Sequence, residues 1–250
     1  MNIEQYIERI GYQGPLTADL NCLTQLHTRH TMSIPFEALD VQWGRKIDLS
    51  LSAIFNKVVL HKRGGYCYEL NHLFHALLNE IGFTNHLISA RVFDDEQFGP
   101  AHDHMAIVVQ LDEPWLVDVG YGDLFLKPIK IQPGIQQEDS FKFYKIEETN
   151  DHQFVLTESL KTTIEYKPSY SFSTKACQIS DFEEQNMFKY SSAASHFKKN
   201  LLCTIATKDG RKTIRNNIYK NRIGDTVERK EINGKEELNQ LLASEFGITP

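Results

Sequence analysis

Closely paired cysteines are missing from this sequence. Four cysteines occur in 250 residues, and they lie far apart, at Cys22, Cys67, Cys177 and Cys203. Without a CxxC pair, this pattern predicts no structural zinc site, and a chain of this size rarely depends on disulfides. We therefore expect free thiols, a reducing and cytoplasmic setting, and no metal cofactor.

Long apolar runs and an excess of positive charge are missing as well. No stretch approaches the ~18 apolar residues of a membrane-spanning helix, and the N-terminal segment MNIEQYIERIGYQG lacks the apolar centre of a signal peptide. The formal net charge is −6, whereas nucleic-acid-binding proteins usually carry a basic excess. The composition predicts a globular protein that binds neither membranes nor nucleic acid, and it leaves the oligomeric state open.

Helical periodicity dominates the first third of the chain. Thr17 is the predicted N-cap of a helix over ADLNCLTQLHTRH, and Ser50 is the predicted N-cap of a helix over LSAIFNKVVLHK. The segment CYELNHLFHALLNEIGF has a wide apolar stripe at helical spacing, and Gly82 suits its C-terminal stop. This last helix is the most strongly patterned of the chain.

The middle and last thirds change period. The segments HLISARVF, HMAIVVQL, WLVDVGYG, HQFVLTES and TTIEYKPSYSF have the composition and bounding turn residues of strands. SDFEEQNMFKYSS predicts a connecting helix, and LLCTIATKDGRKTIRNNIYKN predicts a hairpin that turns at Asp209-Gly210. A final helix is predicted to begin at Asn233. No repeat or low-complexity linker separates these parts, so we expect them to pack against one another.

A possible nucleophile stands in the stretch RGGYCYELN. Cys67 begins the predicted helix, where unpaired backbone N–H groups and the helix dipole favour an anion and therefore the thiolate. Gly64 and Gly65 carry no side-chain bulk and permit unusual backbone angles, so a substrate could approach closely. The alternative is an inert, buried cysteine that only follows a turn. That inert role is the one we expect for the other three cysteines.

A cysteine nucleophile needs a base and a group that orients the base. His104 and Asp118 lie in two predicted strands joined by a short loop near LDEP. If the loop is odd in length and centred on Asp112, the two side chains share one face of the sheet, one diagonal step apart; an even loop places them on opposite faces. Asp118 interrupts the apolar run WLVDVG, where a carboxylate needs a partner or an exposed edge. His102 has the same parity but lies further out, where we expect a solvated loop histidine.

Several motifs together resemble those of the arylamine N-acetyltransferases. IPFEALDV is similar to the family's IPFEN-type segment, RGGYCYELN to its RGGxCxELN nucleophile motif, HMAIVV to its histidine strand, and VDVGYG to its VDVGFG-type aspartate segment. DFEEQN, SHF and DGRKTIRN follow the family's weaker C-terminal pattern. The motifs keep the family's order over most of the chain, which makes the resemblance specific.

The resemblance implies an α+β fold in three parts. An N-terminal helical bundle over 1–88 would carry the nucleophile, a central β-barrel over 89–190 would carry the histidine and the aspartate, and a C-terminal α/β lid would span 191–250. The three residues would form a triad arranged as in papain-like proteases.

The resemblance also implies a reaction. Cys67 would be the nucleophile, His104 the base and Asp118 its orienter. Acetyl-CoA would acylate Cys67, and a small arylamine or arylhydrazine would then take the acetyl group, which is ping-pong acyl transfer. A low-pKa thiolate suits attack on a thioester, and backbone N–H groups near Cys67 would stabilise the oxyanion.

Further residues match family positions around the triad. Glu37 and Arg63 match positions that pair and brace the nucleophile loop. Four residues match or lie near the acceptor pocket, although ordinary core residues would look the same: Phe36, Val92, Phe93 and Tyr121. Asp103 and Gly122 match positions close to bound CoA. Two of these residues depart from the family pattern, since Tyr121 adds a hydroxyl where phenylalanine is common and Asp103 places a carboxylate near an anionic donor.

Other classes of protein stay open from sequence alone. A cysteine peptidase or a transglutaminase-like enzyme would use the same three residue types, although the papain-type CGSCW segment is missing. Amide synthases related to the acetyltransferases differ in the acyl donor. A non-enzymatic binding module of the same fold would need no reactive thiol.

Overall fold

Helices fill the first third of the chain, as the periodicity predicts. A computed structural model describes residues 1–94, 96–149 and 153–249. The helices of this part are α1 (Ile3–Ile10), α2 (Leu20–Ser33), α3 (Leu39–Gln42), α4 (Leu51–Phe55), which a π-helical turn (Asn56–Leu60) continues, and α5 (Cys67–Ile81).

Of the helix ends predicted at Thr17, Ser50 and Gly82, two are confirmed. Ser50 caps α4 as predicted, and Gly82 ends α5 with φ at +100°. The predicted cap at Thr17 is wrong, because the Asp19 carboxylate accepts the Cys22 N–H at 2.8 Å and caps α2. The Thr17 hydroxyl instead donates to the Asp19 carboxylate at 2.6 Å, so Thr17 holds the capping side chain in place.

The middle of the chain forms an antiparallel, barrel-like sheet. Its strands are β2 (Thr84–Val92), β3 (His104–Gln110), β4 (Pro114–Val117), β5 (Ile129–Lys130), β6 (Gln137–Glu138), β7 (Lys142–Glu148), β8 (Gln153–Leu160) and β9 (Lys167–Cys177). Within the described residues they lie in the order β5-β4-β3-β2-β9-β8-β7-β6. β9 begins later than predicted, because the chain first turns, with the Ile164 N–H donating to the Leu160 carbonyl. His152, which begins a predicted strand, lies outside the described residues.

A second sheet joins an early segment to the last part of the chain. Its strands are, in spatial order, β1 (Phe36–Glu37), β10 (Leu202–Thr207), β11 (Gly210–Arg215), β12 (Ile218–Ile223) and β13 (Thr226–Glu231). β10 and β11 form the predicted hairpin, but Thr207 pairs with Gly210, so the turn is Lys208-Asp209, one residue earlier than predicted. Glycine is needed inside β11, because a Cβ at Gly210 would overlap the Arg222 carbonyl oxygen.

Short helices connect the two sheets and close the chain. The predicted connecting helix is a 3₁₀ turn (Ile179–Phe182) followed by α6 (Glu183–Ser191), and α7 (His196–Lys199) comes next. The last helix, α8 (Gly234–Phe246), begins directly after Asn233 as predicted.

In the part of the chain that the structure describes, no helix is both long and apolar enough to cross a membrane. All four cysteines are free thiols, and a cytoplasmic setting stays a prediction.

β3 is buried on both of its faces. Met105 and Ile107 pack into the core between the sheet and the helices, while Ala106 and Val108 pack inside the barrel-like sheet. Because side chains alternate along a strand, His104 lies on the same side as Ala106. His104, the first residue of β3, is therefore directed into the interior of the barrel-like sheet.

Candidate active site

Cys67 lies at the start of α5, as predicted. It is the first residue of the helix and is only 4% exposed. The preceding Tyr66 is the N-cap, and the Glu69 carboxylate reaches back to accept its N–H at 3.1 Å. This capping fixes the helix start and leaves the thiol at the positive end of the helix dipole, where a negative charge is stabilised.

The two glycines before Cys67 are required by close packing. A Cβ at Gly64 would lie 2.0 Å from the Pro35 carbonyl oxygen, and a Cβ at Gly65 would lie 2.9 Å from the Glu69 side chain. Both glycines have φ outside the left-handed region. Neither glycine therefore uses the left-handed conformation that glycine permits, and glycine stands here because Pro35 and Glu69 occupy the space.

His104 and Asp118 meet in the way that an odd loop predicts. Ile107 of β3 pairs with Val117 of β4, which centres their loop on Asp112. His104 Nε2 and Asp118 Oδ2 are 2.6 Å apart, and both residues are buried. Asp118 lies just beyond the end of β4 rather than within a longer strand as predicted.

The contacts of this pair decide its charges. Burial acts against a charged imidazole, but the Asp118 carboxylate and the Cys67 thiol outweigh it and raise the pKa of His104 to about 10. Burial also acts against the carboxylate, yet His104 and further donors hold the pKa of Asp118 below its usual value. The site therefore favours an imidazolium beside a carboxylate at neutral pH. Because Nε2 faces Asp118, Nδ1 is the ring nitrogen that remains for Cys67.

Sequence reasoning missed two residues that hold Asp118. Asn71 donates from Nδ2 to Asp118 Oδ1 at 2.9 Å and to the Met105 carbonyl at 2.6 Å. On the other side, the Asp118 N–H donates to His27 Nε2 at 3.3 Å. A signal for Asn71 was present, since it follows Cys67 by one helical turn and shares its helix face. His27 gave no such signal, because it comes from the distant helix α2.

A largely buried group of charges lies beside the loop that leads to Cys67. Arg63 donates to Glu37 Oε1 at 2.6 and 3.0 Å, so the two expected partners pair. Lys57, which sequence reasoning missed, lies 2.8 Å from both Asp40 and Glu69. Burial opposes both cations, but the neighbouring carboxylates outweigh it and raise the pKa of Arg63 and of Lys57. Because Glu69 also caps α5, this group links the start of that helix to β1.

Three of the residues expected near substrate line one narrow cleft: Phe36, Tyr121 and Gly122. Asp118 lines it as well, so the cleft reaches the His104–Asp118 pair. The Tyr121 ring stands edge-on to the His104 ring, with 5.3 Å between centroids. Its hydroxyl donates to the Ser169 carbonyl at 3.3 Å, so the additional hydroxyl is directed to the backbone of the sheet.

The other expected binding residues lie outside this cleft. Val92 and Phe93 are at the end of β2, where Phe93 packs on Phe98 with 5.1 Å between ring centroids. Asp103 forms an ion pair with Lys189, whose Nζ is 2.8 Å from Oδ1. Lys189 therefore offsets the negative charge of Asp103, which we expected to be unfavourable beside an anionic donor.

His102 is not the solvated histidine that we expected. It is half-buried, and its ring stands edge-on to that of Phe182 at 5.2 Å between centroids. Its Nε2 is 4.0 Å from Cys177 Sγ, away from the contact between His104 and Asp118. The structure thus separates the two histidines into different surroundings.

Comparison with known proteins identifies the family. The family model for N-acetyltransferase matches residues 19–249, and this match assigns the chain to the N-acetyltransferases, a class of transferase. Arylamine N-acetyltransferase 2 of Mus musculus is 30% identical over 277 aligned residues, which cover 100% of this chain and 94% of the relative. The chain therefore belongs to the arylamine N-acetyltransferase family.

Solved structures agree with the fold. The arylamine N-acetyltransferase from M. tuberculosis matches with a TM-score of 0.92 and 29% identity, over 99% of this chain and 94% of that one. The Mycobacterium marinum arylamine N-acetyltransferase in complex with CoA matches with a TM-score of 0.91 and 27% identity, over 99% and 93%. Both share the mixed helix-and-sheet architecture with its barrel-like sheet, and the second was solved with CoA bound.

Proposed function

We propose that this chain acetylates arylamines and arylhydrazines with acetyl-CoA as the donor, by a ping-pong mechanism through acetyl-Cys67. Membership of the family and the neighbour solved with CoA support the donor and the aromatic amine. One observation carries the mechanism: His104, held by Asp118 at 2.6 Å, interacts with a thiol at the start of a helix. These three residues form a papain-like triad in this proposal.

The first half-reaction uses the ion pair of thiolate and imidazolium. The Cys67 thiolate attacks the carbonyl carbon of acetyl-CoA, and a new C–S bond forms. The bond to the CoA sulfur then breaks, and CoA takes the proton of the His104 imidazolium as it leaves. This step yields acetyl-Cys67, neutral His104 and CoA thiol. A thioester suits this chemistry, because its sulfur leaves more readily than an amine.

Acylation itself prepares the second half-reaction. Once the thiolate is acetylated, its negative charge no longer raises the pKa of His104, so that pKa falls and the imidazole can stay neutral, ready to accept a proton. The incoming amine attacks the acetyl carbonyl and gives a proton to His104. Cys67 leaves as a thiolate, and the ion pair is restored. Asp118 stays ionised throughout and holds the ring for both transfers.

The surrounding residues take supporting roles in this proposal. Phe36, Val92, Phe93 and Tyr121 shape the acceptor side, while Asp103 and Gly122 lie near CoA. The salt bridge of Glu37 and Arg63 holds the nucleophile loop. Residues 1–88, 89–190 and 191–250 act as bundle, barrel and lid.

Mass spectrometry tests the intermediate. The purified chain is mixed with acetyl-CoA, and we expect one added acetyl group that maps to Cys67 after digestion. Addition of an arylhydrazine should remove that acetyl group and release one equivalent of acetylated product. An acetyl group mapped to Cys22, Cys177 or Cys203, or one that the acceptor fails to remove, would contradict the proposal.

A further inference from the structure

A second group of ligand-type side chains lies outside the proposed triad. His102 Nε2, Cys177 Sγ and a carboxylate oxygen of Asp181 all lie within 4.8 Å of one another. His102 and Cys177 are 75 positions apart in sequence, and their ligand atoms are 4.0 Å apart. We expected no metal because the sequence has no closely spaced cysteines. Such spacing detects only ligands that are close in sequence, and it misses ligands that the fold brings together.

The backbone of His102 is fixed on several sides. Its N–H donates to Ser89 Oγ at 2.8 Å, and its carbonyl accepts the Tyr68 hydroxyl at 2.6 Å. Its φ of +60° is uncommon for a residue with a side chain and is maintained by these contacts. With the ring also packed on Phe182, the imidazole is held close to Cys177 before any ligand arrives.

The other two side chains are also held by regular structure. Cys177 is the last residue of β9 and pairs with Leu87 of β2. Asp181 belongs to the 3₁₀ turn that follows, and its Oδ2 accepts the Gln178 N–H at 2.8 Å. Cys177 is half-buried and Asp181 is exposed, so the group opens to solvent on the side of the carboxylate.

We propose that His102, Cys177 and Asp181 bind one divalent cation of the zinc type. A nitrogen, a sulfur and an oxygen ligand together suit Zn²⁺, whereas Mg²⁺ and Ca²⁺ prefer oxygen ligands alone. In a tetrahedral zinc site, nitrogen and sulfur ligand atoms are about 3.6 Å apart, so the observed distance needs only small side-chain rotations. Cys177 releases its thiol proton to solvent on binding, and water fills the fourth position.

A cation at this position would connect three elements near the proposed triad. It would join the loop before β3, the end of β9 and the 3₁₀ turn. The loop leads directly into His104, and Tyr68, which binds the His102 carbonyl, follows Cys67. Binding would therefore restrain the approach to the catalytic histidine without occupying its side chain.

Cobalt absorption tests the site without reference to activity. Co²⁺ is added to the full chain with Cys67→Ala, which removes the competing thiol beside His104. We expect one Co²⁺ per chain, with the charge-transfer absorption of a cobalt–thiolate bond, and displacement by Zn²⁺. The further changes Cys177→Ser, His102→Gln and Asp181→Asn are each combined with Cys67→Ala. Asp225→Asn, on an exposed turn, is the matched control for Asp181.

The expected results separate the sites. Cys177→Ser should abolish the thiolate absorption, His102→Gln and Asp181→Asn should weaken binding at least tenfold, and Asp225→Asn should change nothing. Absorption seen only when Cys67 is present would place the cation at the catalytic thiol and overturn the proposal. Absorption that survives Cys177→Ser, or no binding in the Cys67→Ala chain, would overturn it as well. If Cys177→Ser fails to fold, the His102 and Asp181 variants still decide the question.

Discussion

The side-chain amide of Asn71 donates to Oδ1 of Asp118 at 2.9 Å, while His104 engages Oδ2 of the same carboxylate at 2.6 Å. Asn71 belongs to α5, which begins with Cys67, and His104 begins β3. The Asp118 carboxylate thus links the His104 imidazole to the helix that begins with Cys67. All of these groups are buried, where such hydrogen bonds are strong and costly to lose.

Asn71→Ala should weaken both stability and acylation. It removes donors from the Asp118 carboxylate and the Met105 carbonyl, so we expect the free energy of unfolding to fall by about 1–3 kcal/mol. Urea unfolding and single-turnover acylation by acetyl-CoA measure the two effects. Asn79→Ala changes an exposed asparagine of the same helix and is the matched control. Equal behaviour of the two variants would contradict this role of Asn71.

Asp118→Asn should keep the shape of the site but remove the charge that supports the imidazolium. By analogy with the serine-protease triad, we expect single-turnover acylation to slow by about 10²- to 10⁴-fold. His104→Gln should be at least as damaging. His102→Gln, assayed with a chelator so that no cation is bound, should be mild.

The two histidine variants decide which residue is the base. If His102→Gln abolished acylation while His104→Gln retained it, the assignment of His104 would be wrong. Circular dichroism of each variant should show a folded protein, so that a slow rate reflects chemistry rather than loss of structure.

The free energy of unfolding should fall as pH rises from neutral to about 10. The folded-state pKa of His104 is raised to about 10, above the unfolded value of about 6.5. Its contribution is therefore complete below pH of about 6.5 and is lost as pH rises through about 10. The pKa values of His27 and His30 are lowered by burial, so their contributions are already complete above pH of about 6.5.

Urea unfolding at several pH values checks this expectation. The decline should be smaller in His104→Gln than in the unchanged chain, because glutamine carries no titrating proton. Parallel curves for the two proteins between pH 7 and pH 10 would show that His104 is not held as an imidazolium.

Glu37→Gln should destabilise the protein through its buried ion pairs. The change removes one of the two carboxylates that pair with Arg63 and leaves the ion pair with Asp40 at 3.3 Å. Removing one partner of a buried ion pair typically lowers the free energy of unfolding by about 3–5 kcal/mol. Because the Asp40 carboxylate remains, we expect a loss of about 3 kcal/mol. Glu138→Gln breaks an exposed pair with Lys161 and is the control, for which we expect no measurable change in urea unfolding. A similar result for both variants would contradict the bracing role.

The successful predictions from sequence concern signals that are local in the chain. The apolar stripe and the stop at Gly82 define α5 without reference to the rest of the fold. The loop centred on Asp112 fixes the register of β3 and β4, and the register alone places His104 and Asp118 on one face. A short stretch of sequence was therefore enough to predict that the two side chains share one face of the sheet.

Most of the failures concern contacts with residues that are distant in the sequence, and one concerns a local choice of helix cap. Thr17 and Asp19 are both capable caps, and the position of the first helical turn decides between them. Gly64 is required by the carbonyl of Pro35, which comes from a preceding segment. Lys57 and His27 reach the site through tertiary packing, and neither has a motif around it. Sequence patterns carry no information on such neighbours.

β1 is only two residues long, yet it pairs with β10 and also bridges to Gly65 in the loop before Cys67. Because β10 comes late in the chain, a ribosome has made Cys67 long before it makes the strand that supports this loop. A nascent chain thus carries its thiol before β10 is available to pair with β1. We expect a chain that ends before β10 to lack this support and its thiol to be more open to oxidation than in the full chain.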